Sequence, residues 1–209
     1  VSATLVSIDP ASISQAELYR LMIGGVVPRP IATVSTLSAD GIANVAPYSF
    51  YNAVSSDPPC LSVSISRNSK GLKKDTLLNI ESSGEFVVNA TPVSLAAKIN
   101  QASAEYPHAV SEFAEAGLTP APSLKVKAPR VAESPLSFEC VLHAKLEIGS
   151  GQQGSTTLVV GRIVAVQIDT RILRDGRIDA ALFDPLSRLG GLQYGQTAGI
   201  FELPRPKLP

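Results

Sequence analysis

The run Cys60, Leu61, Ser62, Val63, Ser64, Ile65, Ser66 alternates apolar and hydroxyl side chains without a break, and Arg67 follows it directly. Successive side chains of a strand leave on opposite faces, so this pattern predicts a strand with Leu61, Val63 and Ile65 on one side and the serines on the other. The serine face meets either water or a polar ligand.

Working outward, Ile31 to Leu37 is rich in β-branched residues and predicts a second strand, with Thr33 and Ser35 on one face and Ala32 and Val34 on the other. Asp40 and Gly41 suit a hairpin turn into a third strand, Ile42 to Pro47. On the C-terminal side, Thr76 to Ser82 reads as a short helix closed near Gly84, and Glu85 to Asn89 as a strand. Ser94 to Ala102 is helical with Ser94 as a cap, and Phe113 to Ala116 is one more helical turn. Nearer the start, Ser14 and Glu17 form a capping box ahead of the apolar stripe Leu18, Leu21, Met22, and Gly24 and Gly25 end that helix. Thr119 to Pro135, with prolines at 120, 122, 129 and 135, is expected to wrap the surface rather than divide domains. Ser137 to Ile148 and Leu158 to Thr170 are long strands. The glycine-rich link between them, residues 149–155, lacks the lysine and following helix of a phosphate loop, so it reads as a hairpin tip. Asp175 and Gly176 make another turn. Many strands with a few short helices, without regular βα alternation or a GxGxxG turn, predict a mainly β chain: one antiparallel barrel domain over 1–209 with short helical insertions.

Composition narrows the function. A chain of 209 residues, 44% apolar and 17% charged, is globular, and 18 basic against 18 acidic residues remove the electrostatic footprint of a nucleic-acid binder. Cys60 and Cys140 are far apart and form no CxxC pair. With only His108 and His143 beside them, the metal and dithiol classes fall away, and both thiols are expected to be buried. The two histidines read as surface or core residues. No apolar run is long enough to span a bilayer and no leader is recognisable, so the expectation is a cytoplasmic protein that engages neither membrane nor nucleic acid.

A phosphate monoester demands cations, hydroxyl donors and free amides at a helix start. Arg67, Lys74 and Thr76 meet that demand around one strand end and one helix start, and Arg29 and Ser35 are candidates from the neighbouring hairpin. The segment Pro47 to Asn52 reads as a proline-flanked turn whose amides, Ser49 and Asn52 can bond the heteroatom edge of a planar ring. The alternative is a rigid loop with Phe50 and Tyr51 in the core. No nucleophile and base stand together.

These residues resemble the flavin reductase-like proteins with an FMN-binding split barrel, related to the flavin reductase component of two-component monooxygenases such as that acting on nitrilotriacetate. The resemblance runs through Pro28 to Ala32, Asp40 and Gly41, Asn44 to Asn52 and Asp57 to Pro59. It continues through Lys74 to Thr76 with Asn79 and Ile80, Gly84 to Asn89, and Glu112 and Phe113 with Ala116 to Leu118. Glu139 and Cys140, and Arg188 to Gly191 with Tyr194, complete it. It implies an antiparallel split barrel of Greek-key type and a homodimer carrying FMN near the subunit interface. Carried over, it implies phosphate contacts from Arg29, Ser35, Arg67, Lys74 and Thr76. Ring contacts would come from the Pro47 to Asn52 segment (Tyr48, Ser49, Asn52) and from Ser64 and Ser66, with Thr33 completing the cofactor set. Arg188 and Tyr194 either reach the flavin or a nicotinamide, or are a helix-end charge and a core aromatic. The implied activity is an FMN-dependent oxidoreductase: hydride passes from NADH or NADPH to flavin, and electrons go on to free flavin, oxygen or a partner oxygenase. The flavin carries the chemistry, so no catalytic side chain is expected. The alternative is an FMN-binding electron carrier or redox sensor without its own NAD(P)H reductase activity.

Overall fold

A computed structural model describes residues 4–206. Seven strands pair antiparallel in one sheet: β1 (Ala32–Leu37), β2 (Ala43–Tyr48), β3 (Tyr51–Ser56), β4 (Pro59–Ser66), β5 (Glu85–Ala90), β6 (Leu136–Ile148) and β7 (Thr156–Ile168). Their order is β2-β1-β5-β6-β7-β4-β3. The two edge strands, β2 and β3, are consecutive in the chain and separated only by Ser49 and Phe50. Two residues cannot cross the width of a seven-stranded sheet, so the sheet rolls up until its unpaired edges stand side by side.

The alternation in β4 is borne out: Leu61, Val63 and Ile65 are buried, while Ser62 and Ser64 are half-buried and Ser66 is exposed. Inside the roll these three pack with Ala32, Val34, Tyr48, Phe86, Val88, Cys140 and Val159. Helix α1 (Asp75–Ser83) plugs one end with Leu77 and Ile80, and Gly84 closes it in the left-handed region at φ 70°. Gly161 is required here, because a Cβ at that position would lie 2.3 Å from Cζ of Phe86. Both cysteines are buried and unpaired, and burial pushes the Cys140 thiol up to about 12. A second cluster, including Val45, Ile99, Phe113 and Val131, lies outside the roll under helices α2 (Ala96–Gln101) and α3 (Glu112–Glu115).

The proline-rich segment wraps the outside as expected, and Glu139 of β6 anchors it. That carboxylate is fully buried and accepts from the Leu124, Lys125 and Val126 amides at 2.8, 2.6 and 3.3 Å and from Gln167 Nε2 at 2.8 Å. The N-terminal capping box is present, with Glu17 N donating to Ser14 Oγ at 3.2 Å and Ser14 N to Glu17 at 2.9 Å. Two details differ from expectation. Pro47 to Asn52 is no loop but the end of β2, a two-residue link and the start of β3, because the chain only has to step from one edge to the other. Ser94 makes no capping bond.

Glu139 yields a stability prediction. Burial raises its carboxyl, but the amide bonds outweigh burial and hold it below the ordinary range. Its contribution is therefore present above the unfolded pKa and lost as pH falls through the folded one. Glu139→Ala, which strands several buried donors, is expected to cost about 2–4 kcal/mol in urea unfolding at pH 7, the difference shrinking in acid.

Candidate functional site

The link from β4 to α1 is shaped by Asn68, whose Oδ1 accepts from Lys70 N at 3.0 Å and Leu72 N at 2.8 Å, with Gly71 at φ 76° completing the bend. It delivers Lys73 and Lys74 to the start of α1, beside a cleft of about 100 Å³ lined also by Asn44, Pro47, Tyr48, Asp75, Thr76, Glu105 and Glu112. That is space for roughly three waters. It admits a phosphoryl group, not a fused three-ring heterocycle.

The floor of the cleft is a buried relay. Tyr48 Oη donates to Thr76 Oγ1 at 2.9 Å, Thr76 donates to Asn44 Oδ1 at 2.9 Å, and Asn44 Nδ2 donates to both oxygens of Glu112 at 2.8 and 2.9 Å. Val45 N adds a bond to Glu112 at 3.2 Å, and Asn79 and Thr36 support Asn44 from behind. Burial raises the Tyr48 phenol, against the Thr76 bond, so it stays protonated; burial likewise raises the Glu112 carboxyl.

The cations differ in commitment. Lys73 donates to Glu81 at 2.8 Å, and Lys145 shares that carboxylate. Lys74 Nζ makes no hydrogen bond or ion pair among the described residues and stands 5.8 Å from the Tyr48 ring centroid. The Arg67 side chain is only 7% exposed. One nitrogen pairs with Glu147 at 2.8 Å, while its Nε is buried without a partner. Thr156 pairs with Ser66 one residue away, and its buried Oγ1 is also unpartnered. The unpartnered Arg67 Nε stands one residue before Asn68, which lines the cleft together with Lys74, and these two cations fit an anionic group with several acceptor oxygens.

Tyr48, Lys74 and Thr76 thus meet in the cleft, with Arg67 next to it through Asn68. Thr76 is 1% exposed, with its hydrogen spent on Asn44 and a lone pair on Tyr48, so it organises the floor instead of facing the opening. Ser49, Asn52, Ser64 and Ser66 lie on and beside the β3–β4 surface: Ser49 accepts weakly from Arg29 at 3.4 Å, and Asn52 accepts from Ala53 N at 2.8 Å. Five more expected residues are held elsewhere by other partners. Thr33 and Ser35 are buried under the wrapping segment, where Thr33 bonds Thr91 and Ser35 donates to Pro129 O and accepts from Asn89. Arg188 and Tyr194 stack on each other at 4.4 Å in a small sheet near the C-terminus, with Tyr194 Oη donating to Asn100 at 3.2 Å. Arg29 is also diverted: buried, it donates to the Ile23, Val26 and Leu189 carbonyls at 2.6, 2.6 and 2.9 Å. Of the cleft residues that pattern reading passed over, Asn44 and Glu112 carried one signal, being polar groups within otherwise apolar elements.

A family model for the flavin reductase like domain matches residues 23–184. This chain belongs to the flavin reductase-like family. Its relatives include the uncharacterized protein BH2278 of Halalkalibacterium halodurans, 39% identical over 96% of this chain and 97% of that one. Among solved structures, nitrilotriacetate monooxygenase component B from Bacillus cereus is 36% identical with a TM-score of 0.92, covering 97% of this chain and all of the other. The 2-nitrobenzoate 2-nitroreductase NbaA of Pseudomonas fluorescens is 30% identical with a TM-score of 0.87, covering 98% of both. Family membership supports a flavin-related redox role.

The relay predicts that Thr76→Val, which keeps the shape but strands Tyr48 Oη and leaves Asn44 Oδ1 with Thr36 as its remaining donor, destabilises the protein by about 1–3 kcal/mol in urea unfolding, while Thr76→Ser recovers most of it.

Proposed function

We propose that this chain is an FMN-dependent oxidoreductase of the flavin reductase type, a single-domain split barrel of Greek-key connectivity that works as a homodimer. The observation that carries the reading is Lys74, whose Nζ has no ion pair among the described residues, at a phosphate-sized cleft that Asn68 also lines, one residue after Arg67 with its orphaned Nε. Lys74 and Arg67 would hold the phosphate, and the Tyr48–Thr76 pair would keep the floor rigid. Ser49, Asn52, Ser64 and Ser66 offer hydroxyls and an amide to the ring edge on the adjoining surface. When bound, the flavin supplies hydride acceptance from NADH or NADPH and onward electron transfer to free flavin, oxygen or a partner oxygenase. The protein's share is binding, orientation and exclusion of water, which accounts for a site without a nucleophile and base pair.

Support for a second copy comes from the helix Gln15–Gly25. It buries none of its residues and leaves Tyr19, Leu21 and Met22 about half exposed beside the exposed Val26 and Val27. An amphipathic helix with a bare apolar face is a surface for another protein. In line with a protein that does not sit in a membrane, no helix among the described residues is long and apolar enough to cross one.

Lys74→Ala is expected to weaken FMN about tenfold to a hundredfold, read by quenching of flavin fluorescence, since it removes a charge-assisted contact of about 1.5–3 kcal/mol. Unchanged affinity removes the phosphate site from this cleft. Rapid anaerobic mixing of the FMN-loaded protein with NADH and with NADPH is expected to bleach the flavin with at least one of them. Inertness to both assigns the protein to the electron carriers and redox sensors instead.

A further inference from the structure

The cleft that would receive the phosphate carries an excess of negative charge. Its walls hold Lys73 and Lys74 against Asp75, Glu105 and Glu112, and a phosphate monoester adds nearly two further negative charges. Most of these groups have their own partners. Lys73 is committed to Glu81, Glu105 accepts from Ser69 N at 2.9 Å, and Asp75 pairs with His108 Nδ1 at 2.7 Å. Glu112 has no such partner: it is 6% exposed, and among the described residues no Lys, Arg or His stands within ion-pair distance. Among the described residues its oxygens accept from amides, Asn44 Nδ2 and Val45 N. The side-chain hydrogens of Tyr48, Thr76 and Asn44 are all spent within the relay, so the floor has none of them to give to whatever enters.

A buried carboxylate held by amides alone is a costly charge, and a dianion a few ångströms away makes it costlier. Both costs vanish if the carboxylate is neutralised. We propose that Glu112 takes up a proton when an anionic phosphate binds in the cleft, so that occupancy of the site and the charge on Glu112 are coupled. This rests on the reading of the cleft as the phosphate end of an FMN site. Glu112 is then a positioning residue whose protonation sets how tightly the cofactor is held, and cofactor retention falls as pH rises.

The direction agrees with the surroundings. Burial already raises the Glu112 carboxyl above its ordinary value, its amide bonds offset part of that, and the neighbouring Asp75 adds to the rise. The titratable and charged groups around it are Tyr48 on β2 and Lys73, Lys74 and Asp75 at the start of α1. Glu105 and Tyr106 follow α2, and His108 stands behind Asp75. Lys73 and Lys74 favour the ionised form of Glu112, while Asp75, Glu105 and the incoming phosphate favour the protonated one. His108, whose Nδ1 bonds Asp75 at 2.7 Å, is the control position.

The test is proton uptake measured with an indicator dye in weakly buffered solution between pH 7 and 8, where the phosphate of FMN, with a second pKa of about 6, is already almost wholly dianionic. On adding FMN to the cofactor-free protein, the expected result is an uptake of roughly 0.3–1 proton per FMN bound. Riboflavin, which lacks the phosphate, should give none. Glu112→Gln, which keeps an acceptor oxygen for Val45 N, should abolish the uptake and flatten the fall of FMN affinity with pH, and His108→Gln should leave both unchanged. FMN binding without uptake, uptake that survives Glu112→Gln, or uptake lost in His108→Gln overturns the proposal while the FMN reading stands. Failure of the wild-type protein to bind FMN overturns both. If Glu112→Gln does not fold, the FMN and riboflavin comparison in wild-type and His108→Gln protein decides, since uptake must appear with FMN alone and survive the loss of the imidazole.

Discussion

The two-residue link between β2 and β3 is the constraint on which the architecture turns. Because Ser49 and Phe50 must join the two outermost strands of a seven-stranded sheet, that sheet has to close on itself. Closure makes an interior narrow enough for Val34, Ile65, Phe86 and Val159 to fill, with α1 as a stopper at one end. It also sets the end of β2, the serine face of β4 and the start of α1 around one corner. Tyr48, Lys74 and Thr76 are neighbours for that reason, although they come from two separate elements.

Burial and charge then divide the polar residues into two kinds. Glu139 and Arg29 are buried with their hydrogen-bonding capacity largely met by backbone groups, one holding the wrapping segment and the other tying the N-terminal helix to the C-terminal segment. At the cleft the balance is left open: among the described residues Lys74 makes no ion pair, Arg67 Nε next to Asn68 has no acceptor, and Glu112 has no cation. An uncommitted lysine in a cleft, with an orphaned guanidinium nitrogen one residue from its lining, marks a site for something charged.

Much of this was legible in the sequence where the signal is local. The alternation from Cys60 to Ser66 specified both faces of β4, Ser14 and Glu17 specified a helix start, and the two glycine-bounded long strands specified the β6–β7 hairpin. Lys74 and Thr76 could be placed at a helix start from their order alone. What the chain does far away was not legible. Thr33 and Ser35 do share a face, but period-2 alternation cannot say that a segment some ninety residues later covers it and takes the Ser35 hydroxyl at Pro129. Arg29, flanked by prolines, gave no sign that the carbonyls ending a helix would absorb its guanidinium. Asn44 and Glu112 are 68 residues apart and meet only once α3 packs on β2.

The central claim is that the cleft recognises a phosphate carried by a flavin. Comparing the affinity of the wild-type protein for FMN and for riboflavin, by fluorescence quenching at low and moderate salt, tests it most directly. The account predicts that FMN binds at least about tenfold more tightly and that the preference shrinks as salt is added. Equal affinity for the two flavins at every salt concentration would contradict it.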